Sequence, residues 1–294
     1  MTDSPLCNFC KSKSYKVYEK KFGDYYFMNI YKCNNCGLMF QYPIPSIEQI
    51  EKMYDKEYYG GAKVLSYEDE RKSFKFNSYV WKARIKKIKR YINKTEKPKI
   101  LDIGSSFGGF LSIAKEYGFD PYGIEISDYS RNYSTKLLGE DRIFKNFLGK
   151  FESEFFDVIT MIELIEHLDD PKKYIIECYK VLKKNGILVI QTADMNGLQA
   201  KREGINYHYF IPYHLHFFPA ATLTEKLKEI GFSNVKIFRP VEFGLLPKLL
   251  KSRRDFKSWK DYFKWFRITF YHLKGYIHFK NFSLTSSMVI YARK

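Results

Sequence analysis

The sequence predicts an α/β protein built on a doubly wound, mostly parallel sheet with helices on both faces. From Lys99 onward, short β-prone runs alternate with amphipathic helical patterns. A turn rich in glycine and serine follows the first run, as in sheets that bind ligands beyond the carboxyl ends of their strands. The 294 residues, 45% hydrophobic and 28% charged, can bury a sizeable core, which excludes a wholly disordered chain.

Strands and helices are expected to alternate along this region. The predicted strands cover residues 99–103, 121–126, 156–162, 186–190, 235–238 and 287–291. Helices are expected after the first strand up to Gly118, from Ser127 or Asp128 to residue 138, after Asp170, and from a Thr222 cap to residue 231. Such alternation implies parallel strands joined by helical crossovers.

Four of the five cysteines form two Cys-x-x-Cys pairs near the N-terminus. The pairs are Cys7 with Cys10 and Cys33 with Cys36, and the 22 residues between them are enough for a β-hairpin. Thiolates at this spacing suit one tetrahedral Zn²⁺, and four protein ligands leave no open coordination position. We therefore predict a structural zinc ribbon over residues 1–42, with redox-active dithiols or two disulfides as alternatives.

Residues 43–97 are predicted to form a helical linker and cover between the ribbon and the main domain at 98–294. A capping box at Ser46 begins one short helix, and a second helix runs from about Glu70 to Ile92. Apolar residues of the second helix share one stripe, which indicates packing: Phe74, Trp81, Ile85, Ile88 and Ile92.

Ligand-binding residues are expected where the first two strands of the main domain end. Gly104 allows a tight turn, and Gly108 lets a ligand approach the N-terminus of the next helix. Glu125 ends the second strand, where a carboxylate could accept hydrogen bonds from both hydroxyls of a ribose. A nucleoside cofactor is therefore indicated. No phosphate-binding lysine follows the turn, so a P-loop is excluded.

These motifs resemble a known enzyme family. The stretches Leu101-Asp-Ile-Gly-Ser-Ser-Phe-Gly108 and Glu163-Leu-Ile-Glu-His-Leu-Asp-Asp-Pro171, with Glu125, look like class I S-adenosylmethionine-dependent methyltransferases. The cysteine pairs and the following Gly37-Leu-Met-Phe40 are similar to the zinc-ribbon branch of that superfamily, which often accompanies sugar and polysaccharide biosynthesis. The resemblance covers residues 7–238 and implies a seven-stranded Rossmann-like sheet with S-adenosylmethionine as cofactor.

The resemblance also implies which residues contact the cofactor. Asp102, Gly104 and Gly108 correspond to residues at its methionine end, and Glu125 to the residue at its ribose. Ser106 stands where the family often has a glycine. The other expected cofactor residues are Ile126, Asn146, Ile162 and Glu163, with Asn146 or Phe147 nearest to the adenine position.

Two histidines are candidate catalytic residues. Methyl transfer is an in-line displacement, so the acceptor must be aligned, and a hydroxyl or amine acceptor can also need a base. His167 and His214 lie on segments expected near the strand carboxyl ends, and residues 206–216 could form a lid over the acceptor. A structural hydrogen-bonding role is the alternative for each histidine.

The charge of the chain favours an anionic partner, and the codon usage of an AT-rich genome is the alternative explanation. The sequence has 50 Lys and Arg against 33 Asp and Glu, a net charge of +17. Between residues 248 and 280 lie ten basic and two acidic residues, interleaved with aromatic ones at helical spacing. We expect a basic aromatic helical insertion over residues 243–282. Its aromatic residues are expected to pack over the acceptor pocket or against a second copy, and the alternative is that the insertion lies at an anionic membrane surface.

The predicted function is transfer of a methyl group to a small-molecule acceptor, in particular a sugar or glycan intermediate. One alternative is an RNA or DNA methyltransferase that uses the ribbon and the basic surface. The other is a non-catalytic binding protein that retains the cofactor fold. No apolar run reaches the roughly 18 residues of a membrane span, and no secretory signal is evident. We expect a cytoplasmic protein that can be peripheral at the inner face of the membrane.

Overall fold

The architecture is given by a computed structural model, which describes residues 4–22, 26–45, 69–93, 95–239, 242–279 and 282–294. The predicted helix that begins at Ser46 lies outside these ranges. No helix in the described ranges is long and apolar enough to cross a membrane.

The described strands follow one another along the chain as β1 (Ser14–Phe22), β2 (Tyr26–Cys33), β3 (Met39–Gln41), β4 (Lys99–Ile103), β5 (Asp120–Ile124), β6 (Ile143–Phe144), β7 (Phe156–Ile162), β8 (Leu182–Ala193), β9 (His216–Phe217), β10 (Ser233–Phe238), β11 (His278–Phe279), β12 (Phe282–Ser283) and β13 (Ser287–Arg293). The helices are α1 (Phe74–Ile88), α2 (Gly109–Glu116), α3 (Asp128–Leu138), α4 (Pro171–Val181), α5 (Leu198–Glu203), α6 (Ala220–Ile230), α7 (Leu246–Ser252) and α8 (Phe263–Lys274).

The larger sheet has the predicted doubly wound topology. Its strand order is β10-β13-β8-β7-β4-β5-β6, and the neighbours from β8 to β6 pair in parallel. Only β13 runs against its neighbours, pairing antiparallel with β8 and β10. Strand β6 was not predicted, because a strand of two residues is too short to show a hydrophobic pattern. The predicted seven-stranded, mostly parallel sheet is confirmed.

The ribbon sheet is completed by a strand from the main domain. Its order is β1-β2-β3-β9, and β9 pairs Phe217 with Met39 and His216 with Phe40. Behind it, Phe40 belongs to the same hydrophobic cluster as Phe218 and Leu223 of the main domain. The predicted ribbon therefore shares both a sheet and a core with the rest of the protein.

Two helical details differ from the sequence expectations. Phe74 was expected on the buried stripe of α1, but it is 38% exposed. Arg84, a charged residue of the same helix, is buried instead. Helix α6 begins at Ala220 rather than after Thr222. The Thr222 hydroxyl instead donates to the carbonyl of Cys36, so a contact with the ribbon replaces the expected cap.

The segment 243–282 contains α7, α8 and the β11–β12 hairpin, and it leaves an apolar surface uncovered. We call this the aromatic surface; it consists of Leu246, Trp259, Phe263, Phe266, Phe270, Leu273, Tyr276, Ile277, Phe279 and Phe282, between 44% and 73% exposed. On α8 its members recur every three or four residues and so share one face. These side chains do not cover the protein's own core.

Candidate functional site

The predicted cofactor residues meet at one edge of the large sheet. Because β4, β5, β6 and β7 are parallel, their carboxyl ends lie side by side. Asp102 lies near the end of β4, Glu125 and Ile126 follow β5, Asn146 follows β6, and Glu163 follows Ile162 at the end of β7.

The turn after β4 has the backbone that only small residues adopt easily. Gly104 and Gly108 both have φ near +80°, in the left-handed region. A Cβ on Gly104 would lie 2.8 Å from Leu164 Cδ1, in the loop after β7. Ser106 has φ +50°, which explains in physical terms why glycine is the more usual residue there. The turn is therefore held close to the loops on either side.

Glu125 is buried and already engaged by the backbone. It is 5% exposed, and its two carboxylate oxygens accept hydrogen bonds from the amides of Ser106 and Ser127 at 2.7 and 2.8 Å. Burial raises the pKa of Glu125, while the two amides oppose that shift. The carboxylate thus ties the turn after β4 to the end of β5.

Two further carboxyl groups make this region acidic. Asp102 accepts a hydrogen bond from the Thr160 hydroxyl at 2.5 Å, and burial raises its pKa to about 8. Glu70 accepts a hydrogen bond from the amide of Gly109 at 3.3 Å, and burial raises its pKa to about 7. Buried carboxyls of this kind favour a cationic ligand. Glu70 was not predicted as a site residue, because in sequence it lies before α1 and far from the ends of the strands.

Within the described ranges, three serine hydroxyls around the turn have no hydrogen-bond partner. The Oγ atoms of Ser105, Ser106 and Ser127 are buried, and no partner for them is found in the described part of the chain. Buried polar atoms are normally hydrogen-bonded, so unpaired ones mark a place where a polar ligand fits. Ser106 was predicted as a cofactor residue; Ser105 and Ser127 were not.

The adenine candidates differ in exposure. Asn146 is exposed, whereas the neighbouring Phe147 is buried beside the ring of Tyr174. The carbonyl of Ile126 accepts a hydrogen bond from Arg131 at 3.2 Å. Because Asn146 is exposed, it lies at the solvent-facing rim of this edge of the sheet.

A second polar cluster follows β7 and lies under the segment before β9. The Tyr209 hydroxyl donates to Glu166 Oε1, and it lies 3.3 Å from Glu163 Oε2. The ring of His214 packs 4.1 Å from that of Tyr209 and 4.6 Å from that of His167. Tyr209 escaped the sequence analysis because tyrosine is abundant throughout the chain.

The two candidate catalytic histidines are neutral near pH 7. Burial lowers the pKa of His167 to about 4 and the pKa of His214 well below its ordinary value. His214 Nδ1 lies 2.7 Å from the carbonyl oxygen of Tyr209. Since a carbonyl only accepts, Nδ1 donates and Nε2 carries the lone pair.

Lys248 of α7 does not belong to the basic surface on which the sequence analysis counted it. It is partly buried, and burial lowers its pKa to about 8. Glu163 and Glu242 are close enough to oppose this shift. The segment 243–282 therefore borders the polar cluster after β7.

The four ribbon thiols converge on one point. Their Sγ atoms lie within 4.8 Å of one another, with 3.6 Å between Cys7 and Cys36 and 3.4 Å between Cys10 and Cys33. No cysteine of the chain is in a disulfide. Sulfur ligands of a tetrahedral Zn²⁺ are about 3.8 Å apart, so the cluster is compatible with zinc.

Comparison with known proteins agrees with this geometry. Residues 74–237 match the family described as "Methyltransferase domain". An uncharacterized protein of Methanocaldococcus jannaschii is 28% identical over 190 residues, which cover 60% of this chain and 84% of that protein.

Two named enzymes match shorter stretches. The 2-methyl-6-phytyl-1,4-hydroquinone methyltransferase of Synechocystis sp. is 32% identical over 114 residues, 37% of this chain and 35% of the enzyme. The phosphoethanolamine N-methyltransferase of Plasmodium falciparum is 35% identical over 113 residues, 36% of this chain and 42% of the enzyme. The chain thus spans less than half of either enzyme.

Solved structures share the fold at low sequence identity. A SAM-dependent methyltransferase from Archaeoglobus fulgidus superposes with a TM-score of 0.50 at 19% identity, covering 73% of this chain and 93% of that one. The phosphoethanolamine N-methyltransferase 2 of Haemonchus contortus, in complex with S-adenosyl-L-methionine, gives a TM-score of 0.50 at 15% identity and covers 95% of this chain and 71% of its own. With more than half of its length matched, this chain belongs to the methyltransferase-domain family and has the fold of the class I S-adenosylmethionine-dependent enzymes.

Proposed function

We propose that the protein transfers a methyl group from S-adenosylmethionine to a small-molecule acceptor at the carboxyl edge of its large sheet. The observation that carries the proposal is the convergence there of Glu125, the turn from Gly104 to Gly108, and three buried serine hydroxyls without partners in the described chain. Such an edge is where open α/β sheets bind nucleoside ligands.

The residues present fit the parts of this cofactor. The Glu125 oxygens keep lone pairs that can accept the two ribose hydroxyls. Burial raises the pKa of Asp102 and Glu70 to about 8 and about 7, and the ammonium and sulfonium groups of a bound methionine end would favour ionisation of both carboxyls. Ile126 and Ile162 offer apolar contacts at the ends of β5 and β7. When bound, S-adenosylmethionine supplies the electrophilic methyl group.

His214 is the group best suited to accept a proton from the acceptor. Its Nδ1 is held by the Tyr209 carbonyl, so the lone pair of Nε2 is available, and the lowered pKa keeps the ring neutral. His167 packs edge-on against it and restrains its orientation. The four ribbon cysteines would hold a structural Zn²⁺ that takes no part in the transfer.

We further propose that the acceptor is a sugar or glycan intermediate carried by a lipid at an anionic bilayer surface. The aromatic surface supports this, because exposed phenylalanine and leucine on one face of α8, with Trp259 in the turn before that helix, can insert at the boundary of a bilayer. Exposed basic residues border it and would contact anionic headgroups: Lys251, Arg253, Arg254, Lys257, Lys260, Lys264 and Arg267. Lys248, in the same segment, lies near Glu163 at the site.

A nucleic-acid acceptor fits this surface less well. Basic side chains would neutralise phosphates, but aliphatic side chains such as Leu246, Leu273 and Ile277 gain nothing from a polar phosphate backbone. An anionic bilayer surface would interact with both the basic side chains and the exposed apolar area of this segment.

Two measurements test the proposal. The purified protein is sedimented with vesicles of phosphatidylcholine alone or mixed with phosphatidylglycerol, and we expect binding only to the anionic vesicles. The double variant Phe266→Ser/Phe270→Ser should lose that binding, whereas Phe27→Ser, an exposed phenylalanine on the ribbon, should retain it. Failure of the wild-type protein to bind at low salt would remove the membrane from the proposal.

The acceptor class is tested with S-adenosylmethionine labelled in its methyl group. The protein is incubated with fractions containing lipid-linked glycans, nucleotide sugars or total RNA. Label in a glycan or sugar fraction supports the proposal, and label in RNA supports the nucleic-acid alternative. Cofactor binding without label in any fraction would favour a non-catalytic protein.

A further inference from the structure

Three side chains with metal-binding atoms converge after β7, away from the ribbon cysteines. One carboxylate oxygen of Glu166 and one ring nitrogen each of His167 and His214 lie within 4.8 Å of one another. Glu166 is fully buried and His214 is 7% exposed. The three residues come from two separate segments, the turn Ile165–His167 and the stretch before β9. These segments are joined where the Leu215 amide donates to the Glu166 carbonyl at 2.7 Å.

Both histidine rings are held through one nitrogen. His214 Nδ1 donates to the Tyr209 carbonyl at 2.7 Å, and the His167 ring hydrogen-bonds the main chain of Tyr213. Histidines that bind metals almost always use their second ring nitrogen in this way, because a backbone carbonyl fixes the tautomer and the ring orientation. The other ring nitrogen of His214 then keeps the lone pair that a metal ion would need.

The two carboxylate oxygens of Glu166 differ in their partners within the described part of the chain. Its Oε1 accepts a hydrogen bond from Tyr209, whose hydroxyl also contacts Thr192 Oγ1 at 2.9 Å. Its Oε2 is buried, and the described part of the chain supplies no hydrogen-bond partner for it. A buried carboxylate oxygen without a partner is costly, and a cation would compensate that cost.

We propose that Glu166, His167 and His214 form a binding site for a divalent first-row transition-metal ion. Two imidazoles and one carboxylate are the ligand set of sites for Zn²⁺, Mn²⁺, Fe²⁺ and Co²⁺ that keep open positions. Ligands about 2.1 Å from a common ion are about 3.4 Å apart, so modest side-chain rotation closes the cluster.

This metal site would have a different role from the structural zinc site of the ribbon. The four ribbon thiols saturate a tetrahedral ion, whereas three ligands leave room for an oxygen of the acceptor. Glu163 follows β7 beside this cluster, and Leu164 contacts the turn that holds the cofactor position. A metal ion here would orient the acceptor oxygen toward the methyl group. Nε2 of His214 would then bind the ion rather than a proton, so this inference revises the role of His214 and leaves the proposed cofactor and acceptor class unchanged.

The test is Mn²⁺ binding to the intact protein whose ribbon metal has first been confirmed by elemental analysis. Mn²⁺ favours oxygen and imidazole ligands over thiolates, so it reports this site rather than the ribbon. Titration followed by electron paramagnetic resonance should show one bound Mn²⁺ per chain. His214→Ala and Glu166→Gln should each weaken binding at least about tenfold. His278→Ala, which removes an exposed histidine from β11, should leave binding unchanged.

The controls separate this inference from the proposed function. Circular dichroism and binding of S-adenosylhomocysteine show whether each variant keeps its fold and cofactor site. Absence of Mn²⁺ and Co²⁺ binding by folded wild-type protein that binds S-adenosylhomocysteine would overturn the metal site alone. Equal metal affinity in wild type and both variants would also overturn it. Metal binding without cofactor binding would support the site and contradict the proposed function.

Discussion

At the scale of single residues, Glu125 joins two loops at the edge of the sheet where we propose that the ribose binds. Its oxygens accept hydrogen bonds from the amides of Ser106 and Ser127, so the carboxylate organises the turn before any ligand binds. Sequence position predicted Glu125 as a ligand-binding residue, because an acid at the end of a second parallel strand is informative by itself. The two amide contacts depend on the turn conformation, which sequence did not reveal.

We predict that Glu125→Ala weakens binding of S-adenosylmethionine by about 1.5–3 kcal/mol, the scale of hydrogen bonds to a charged group. Isothermal titration calorimetry measures the change. Asp128→Ala is the matched control, because that carboxylate is exposed and pairs only locally with Arg131. Wild-type affinity in the Glu125 variant would exclude this residue from the site.

The buried carboxyls predict how cofactor binding depends on pH. Asp102 and Glu70 have pKa values raised to about 8 and about 7, so both are largely protonated in mildly acidic solution. A raised carboxyl pKa stabilises the ligand-free fold at low pH, and that contribution is lost as pH rises through about 7 to 8. Ionised carboxylates bind a cation more tightly.

We therefore expect S-adenosylmethionine to raise the thermal unfolding midpoint more at about pH 7.5 than at about pH 5.5. S-adenosylhomocysteine lacks the sulfonium charge and should show a smaller increase. Equal pH dependence for the two ligands would mean that neither carboxyl faces the sulfonium.

At the scale of elements, a buried ion pair holds α1 to the large sheet. Arg84 of α1 donates to both oxygens of Glu242, which follows β10, and the Tyr291 hydroxyl of β13 donates to the same carboxylate at 2.6 Å. Both charged side chains are at most 3% exposed. Helical periodicity predicted α1 itself, but a lone arginine among many basic residues gave no sign of a buried partner 158 positions away.

We predict that Glu242→Gln lowers the free energy of unfolding by about 3–5 kcal/mol, because it leaves the Arg84 charge buried without its counter-ion. Urea denaturation measures the loss. Lys86→Gln, on the exposed face of the same helix, should change stability by less than about 0.5 kcal/mol. Replacing both partners, as Arg84→Met/Glu242→Leu, should recover much of the stability, and failure to do so would mean that the pair does more than neutralise charge.

At the scale of the whole molecule, the ribbon is continuous with the segment that carries His214. Strand β3 of the ribbon pairs with β9, and β9 begins two residues after His214. The amide of Gln41 also donates to the Leu215 carbonyl at 2.8 Å. Disorder in the ribbon would therefore reach His214 before it reached the turn after β4.

We predict one Zn²⁺ per chain, and loss of that metal in Cys33→Ser. The variant should unfold at lower temperature and lose methyl transfer, but it should still bind S-adenosylhomocysteine, because Glu125 lies on the large sheet. Cys178→Ala, which changes a cysteine outside the cluster, should keep its zinc. Elemental analysis that finds no metal in the wild-type protein would contradict the prediction.

The sequence by itself determined the features whose signal lies within a few neighbouring residues. Strands β4, β5 and β7 follow from apolar runs, the turn after β4 from Gly104 and Gly108, and the convergence of the ribbon thiols from their spacing.

Only the tertiary structure could decide which distant residues meet. Glu70 lies beside the turn after β4, the Tyr209 hydroxyl donates to Glu166, and β9 pairs with β3 of the ribbon. All three contacts depend on how the elements pack. The burial of Lys248 and the exposure of Phe266 likewise contradict what residue type alone suggests. Burial and long-range pairing are properties of the packed chain, and no short stretch of sequence encodes them.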